Sequence, residues 1–98
     1  MIRLISDVPQ SIEAHNKRLA NFGQPQLGEF KYCFTSYYGC GSHLYVYLND
    51  ATISQDIITK IVQSNYNYPD SIAAQFQARD RSAKIVVNDS EMGGISIW

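Results

Sequence analysis

Two aromatic, β-prone runs held apart by a glycine-flanked residue constrain this chain more than any other feature. Residues 29–38 (Glu-Phe-Lys-Tyr-Cys-Phe-Thr-Ser-Tyr-Tyr) and 42–48 (Ser-His-Leu-Tyr-Val-Tyr-Leu) enclose Gly39-Cys40-Gly41. Glycine enters left-handed backbone conformations without steric cost, which is what a tight hairpin requires. Loop length then sets the register. A two-residue loop pairs Phe34 with Tyr45 and Tyr32 with Tyr47. A three-residue loop pairs Phe34 with Val46 and Tyr32 with Leu48, and adds Tyr37 to the face that carries His43. Under either register, period-2 alternation puts His43, Tyr45 and Tyr47 opposite Leu44, Val46 and Leu48. Helices are expected to cover the aliphatic side, so Tyr45, Tyr47, His43 and Tyr37 form a candidate interaction surface pointing away from the helical layer. Tyrosine suits such a role because it offers large, rigid contact area. It also suits half-exposed strands that contact nothing.

The remaining segments read as short elements. Met1 to Ser6 is apolar and weakly alternating, as a strand would be. Asp7-Val8-Pro9-Gln10 has the chemistry of a helix start: a capping acid, an early proline and a glutamine three residues after the cap. Ile12, His15, Leu19 and Phe22 follow at 3-4-3 spacing, and Gly23 with Pro25 ends a helix over about 8–22. Asn49-Asp50 closes the hairpin, and Thr52-Ile53-Ser54-Gln55 offers a capping box. Ile53, Ile57, Ile58, Ile61 and Val62 draw the stripe of a second helix that stops near Ser64. Residues 71–79 are ambiguous. Ile72, Ala74, Phe76 and Ala78 alternate as a strand does, yet alanine, glutamine and arginine favour a helix. Ala83 to Asn88 and Ile95 to Trp98 read as strands forming a C-terminal hairpin.

These elements describe one α+β domain over residues 1–98, with no repeat or linker that would split it. With 71–79 as a strand, the order is βαββαβ plus a C-terminal β-hairpin. That order suits a ferredoxin-like two-layer sandwich, with both helices on one sheet face, and this is the preferred reading. With 71–79 helical, the C-terminal half takes a winged-helix-like order.

Composition narrows function without naming it. Twelve aromatic residues, 45% hydrophobic and 17% charged residues leave apolar area to be stored in a core or at a contact. The net charge is −1 and the eight basic residues are scattered. Clustered phosphate contacts are therefore not evident, and nucleic-acid binding is the alternative rather than the leading reading. The N-terminal residues lack the apolar run of a signal peptide and no stretch is long enough to span a bilayer, so a cytoplasmic, non-membrane protein is expected. Cys33, Cys40 and His43 invite a metal or disulfide reading. A hairpin separates the two cysteines by about 20 Å, too far for either. No metal, no cofactor and no catalytic residue is expected on that basis. Cys40 near His43 is the residual nucleophile candidate, and a pocket beside a perturbed His15 or His43 would indicate a ligand or enzymatic site. The leading expectation is a non-enzymatic interaction module, an inhibitor or accessory factor, binding another protein or itself as a homodimer.

Overall fold

The computed structural model describes residues 2–39, 41–89 and 93–98. These form five strands and three helices: β1 (Arg3–Leu4), α1 (Val8–Asn21), β2 (Tyr32–Gly39), β3 (Ser42–Leu48), α2 (Gln55–Ser64), α3 (Pro69–Arg79), β4 (Lys84–Asp89) and β5 (Ile95–Ile97). The strands make one sheet in the order β1-β2-β3-β4-β5, antiparallel at every step.

The hairpin takes the second of the two expected registers. Tyr32 opposes Leu48, Phe34 opposes Val46 and Tyr37 opposes His43, after which the pairing slips by one residue to Gly39 opposite Ser42. Gly39 and Gly41 sit at φ +93° and +80°, the left-handed region that a residue with a Cβ avoids. Cys40 between them lies outside the described residues.

Helix α1 begins where the Asp7 carboxylate accepts the Gln10 amide at 3.1 Å. It ends in a Schellman arrangement: the Gln24 N–H donates to Leu19 O, the Gly23 N–H donates to Ala20 O, and Gly23 takes φ +68°. Phe22, placed on the apolar stripe by its spacing, falls beyond the last helical residue and is exposed. The cap of α2 is Ser54, which accepts the Ile57 amide, rather than Thr52.

Two expectations about the fold are corrected. Residues 71–79 belong to helix α3, so the ferredoxin-like order with a strand there does not form. Ile72, Ala73 and Phe76 face the core at helical spacing, whereas Ala74 and Ala78 are exposed. The apparent alternation came from alanines, which carry too little side chain to report a face. The order with 71–79 helical is the one observed, but β4 and β5 extend the main sheet instead of standing apart as a wing. The helices also occupy both faces of the sheet. Against one face α2 and α3 close a core of thirteen buried residues, including Leu44, Val46, Leu48, Ile58, Ile72, Phe76 and Ile85. Against the other, α1 and the following loop close a smaller core on Val8, Leu19, Leu27, Cys33, Tyr47, Val86 and Ile95. Leu27 is held there by Asn16, whose side chain accepts the Leu27 N–H at 2.6 Å and donates to its carbonyl at 3.1 Å.

Asp80 joins the end of α3 to the end of β3. Its carboxylate accepts the amides of Asn49, Asp50 and Ser82 and the Ser82 hydroxyl, at 2.6 to 3.0 Å. Desolvation pushes this carboxyl up, but the four hydrogen bonds to its charged form outweigh it and hold it below the usual carboxylate range.

Candidate functional site

The sheet face toward α1 carries most of the polar chemistry, and the strand register lays it out in rows. Arg3, Thr35, Tyr45 and Val86 form one row across β1 to β4. Cys33 and Tyr47 lie in the row below, and Tyr37, His43 and Asn88 in the row above, nearer the hairpin end.

Helix α1 crosses the lower rows, and this overturns the expected orientation of two tyrosines. Tyr47 is fully buried, and Tyr45 is half-covered. The contrast between aliphatic and tyrosine faces suggests core against solvent, but a phenol becomes a core residue once its hydroxyl is paired. Here α1 supplies both partners from residues one turn apart. The Tyr47 hydroxyl lies 2.5 Å from His15 Nδ1 and 2.7 Å from Ser11 Oγ. The His15 ring also meets Tyr45 edge-on at 4.3 Å, and Phe30 leans on Tyr47 at 5.5 Å. Ser11 and His15 at i, i+4 on the buried side of a helix are the signal that could have revealed this pairing from sequence.

Burial sets the ionisation of the cluster. His15 is 5% exposed, and its pKa is lowered to about 4, first by desolvation and then by the Arg18 guanidinium. It is a neutral imidazole at physiological pH. Burial raises the Cys33 thiol to about 12 despite hydrogen bonds from Tyr47 and Ser11, so it is neither a ready nucleophile nor a ready metal ligand. Burial raises the Tyr47 phenol far above the usual range as well.

Beside this cluster an open groove of about 560 Å³ runs between α1 and the sheet, lined by Arg3, His15, Arg18, Tyr45 and Asn88 among others. Arg3 also lines a smaller recess of about 190 Å³ with Thr35, Ser36, Tyr37 and His43. No α1 residue contributes to that recess. Tyr37 is 58% exposed there and meets the His43 ring edge-on at 5.8 Å. On the opposite sheet face at the same end, Tyr38 packs on Tyr66 with ring centroids 4.9 Å apart.

Of the four residues expected to share an outward surface, the fold thus leaves Tyr37 and His43 together beyond α1 and withdraws Tyr47 completely. Sequence reasoning did not single out Arg3, Arg18, Thr35 or Asn88, which line the groove and its recess. Their convergence depends on which face α1 covers, a fact no local pattern carries. Among the described residues no three of His, Cys, Asp or Glu gather as metal ligands, and no helix is long and apolar enough to cross a membrane. No family model, curated protein or solved structure matches the chain.

Proposed function

We propose that this protein is a small non-enzymatic binding module that engages another protein, or a second copy of itself, through the hairpin end of the sheet. The observation that carries this reading is the exposed Tyr37 ring braced against His43, in the part of the sheet that α1 leaves open. A braced aromatic gives contact area at small entropic cost, and such residues are enriched among those that dominate binding energy. Tyr38 and Tyr66 add rings to the other side of the same end. The contact surface is therefore the tip of the hairpin and not the Tyr45–Tyr47 face.

The test compares the wild-type chain with Tyr37→Ala combined with His43→Ala. Light scattering across a concentration series reports self-association, and affinity capture from the native host reports a partner. The double variant should melt as the wild type does, and should lose either the dimer or the captured partner. A chain that stays monomeric, with captured proteins identical for both forms, would falsify the reading.

A second reading keeps one specific observation. Helix α3 ends with Arg79 exposed, Arg81 is exposed beyond it, and the intervening Asp80 carboxylate is turned inward onto backbone amides. The acid that interrupts this basic run in sequence is thus absent from the surface it presents. This supports nucleic-acid binding, which requires affinity for labelled DNA or RNA that falls steeply with salt and falls further in Arg79→Ala with Arg81→Ala. Undetectable binding at low salt rejects it.

A further inference from the structure

We propose that β1 is a docking edge for a second copy of this chain, the two β1 strands pairing antiparallel about Leu4 to join two sheets into one. The edge is a different surface from the contact at the hairpin end, and the proposal does not depend on that contact.

The first observation is a pair of backbone groups turned outward at an exposed position. β1 opens the strand order, so only β2 flanks it. The Ile5 N–H donates to Cys33 O at 2.8 Å, and Arg3 opposes Thr35 in the same register. Antiparallel pairing alternates, so the intervening Leu4 turns its N–H and C=O away from β2. No hydrogen bond among the described residues takes up either group. Leu4 is itself 59% exposed. The opposite edge of the sheet differs. On β5 the alternation set by the Ile85–Trp98 pair turns Ile95 and Ile97 outward, but Ile95 is only 5% exposed. Of the two edges, β1 is the accessible one.

The second observation chooses the occupant. Leu4 opposes Phe34, so both side chains stand on the sheet face toward α2 and α3, where Phe34 is half-buried against the core. The two form an apolar row that runs to the sheet edge and stops there with its last member exposed. A two-fold axis perpendicular to the sheet at Leu4 continues that row as Phe34–Leu4–Leu4–Phe34 across the two copies. The same axis makes Leu4 and its copy a hydrogen-bonded pair, each N–H donating to the other's carbonyl. It also sets Arg3 opposite Ile5 of the second copy rather than opposite another arginine. An apolar row end and an outward backbone pair at one residue are thus complementary to themselves, whereas a foreign strand would have to match both.

The free edge is short. The Ile2 carbonyl accepts the Gln55 side-chain amide of α2 at 2.9 Å on one side of Leu4, and Asp7 caps α1 on the other. One hydrogen-bonded pair with its flanking apolar contacts lies at the small end of protein interfaces, so the dimer is weak and concentration-dependent.

The experiment follows the ¹⁵N-labelled full chain by light scattering and amide shifts from about 20 µM to about 1 mM, the range in which contacts this small associate. The mean mass should rise toward that of a dimer, and the Leu4 amide should shift and gain protection from exchange in parallel. Leu4→Lys sets two like charges opposite each other. It should weaken association about tenfold, with an unchanged melting temperature because Leu4 is exposed. Leu4→Ile should retain the dimer. In a Cys40→Ser background, Leu4→Cys should oxidise to a covalent dimer, since paired Cα atoms about 5.5 Å apart suit a disulfide. Lys17→Cys, exposed on α1, should not. This arm decides the question even where Leu4→Lys fails to fold. Tyr37→Ala with His43→Ala should leave the dimer intact, which separates this edge from association through the hairpin end. A chain that stays monomeric at about 1 mM would overturn the proposal and leave the edge to an extended strand of another protein. So would a dimer that survives Leu4→Lys, or one that is lost with Tyr37 and His43.

Discussion

Acidification should destabilise this protein through one residue, His15. In an unfolded chain the imidazole takes up its proton below pH 6.5, whereas in the folded protein it does so only near pH 4. Between those values the unfolded state binds the extra proton, so the contribution of His15 is constant above about pH 6.5 and is lost as the pH drops toward 4. The depression from 6.5 to about 4 corresponds to about 3 kcal/mol. That is a large share of the 5–15 kcal/mol typical of a domain. The cause is physical. A charged ring has to be accommodated under α1 beside Arg18, where it is 5% exposed and its Nδ1 is committed to the Tyr47 hydroxyl. Urea denaturation at intervals from pH 8 to pH 4 measures the loss directly. The same series on His15→Asn, which keeps a hydrogen-bonding atom near the Nδ1 position without a titrating ring, isolates the histidine from carboxylates that titrate near the lower limit. The variant should lose most of the slope between pH 6.5 and 4. A His15 ring that titrates near 6.5 in the folded protein by NMR, or an unchanged slope in His15→Asn, would refute the reasoning.

Further substitutions probe the other contacts. Tyr47→Phe removes the hydroxyl that joins Ser11 to His15 and should cost about 1–3 kcal/mol in urea denaturation, because His15 loses a buried bond and Ser11 a half-buried one. Asp80→Ala should cost about 2–3 kcal/mol by freeing three amides at the junction of α3 and β3, and a loss under 0.5 kcal/mol would show water replacing the carboxylate. Gly39→Ala places a Cβ 2.5 Å from the Tyr66 hydroxyl at φ +93°, and about 1–2 kcal/mol of destabilisation is expected. Adding Tyr66→Phe should recover only the steric part of it in a double-mutant cycle. In a Cys40→Ser background, Cys33 should resist a thiol reagent at pH 8 until the protein is unfolded, since burial holds its thiol near 12.

The hairpin itself, the approximate limits of α1 and the C-terminal strand pair were legible in the sequence because each rests on local chemistry: glycine turns, a capping aspartate, a glycine stop. The hairpin register stayed open between two loop lengths until the fold chose one. Residues 71–79 were not, because alanines at 73, 74 and 78 satisfy both periodicities and the burial of Ile72 and Phe76 that decides between them is set by the assembled core rather than by local chemistry. The candidate site was read only in part. Tyr37 and His43 stand where alternation put them, yet Tyr47 is interior because Ser11 and His15 arrive from above to pair its hydroxyl. Alternation identifies the two faces of a sheet but carries no information on which of them a helix thirty residues away will cover. The groove lined by Arg3 and Arg18 was invisible for the same reason, since it exists only after α1 has docked.

The sheet acts as a wall shared by two cores of unequal size, thirteen buried residues under α2 and α3 against seven under α1. Strands β2 to β4 contribute to both, each strand turning alternate side chains to opposite cores. Coupling between the two sides therefore runs through the shared sheet. The α1 side, being smaller and holding the protonatable ring, is the part expected to open first on acidification, as a sub-global unit with its own free energy. Amide exchange would then divide the molecule by face rather than by chain position, with α1 exchanging ahead of α2 and α3 although all three helices pack on the same strands.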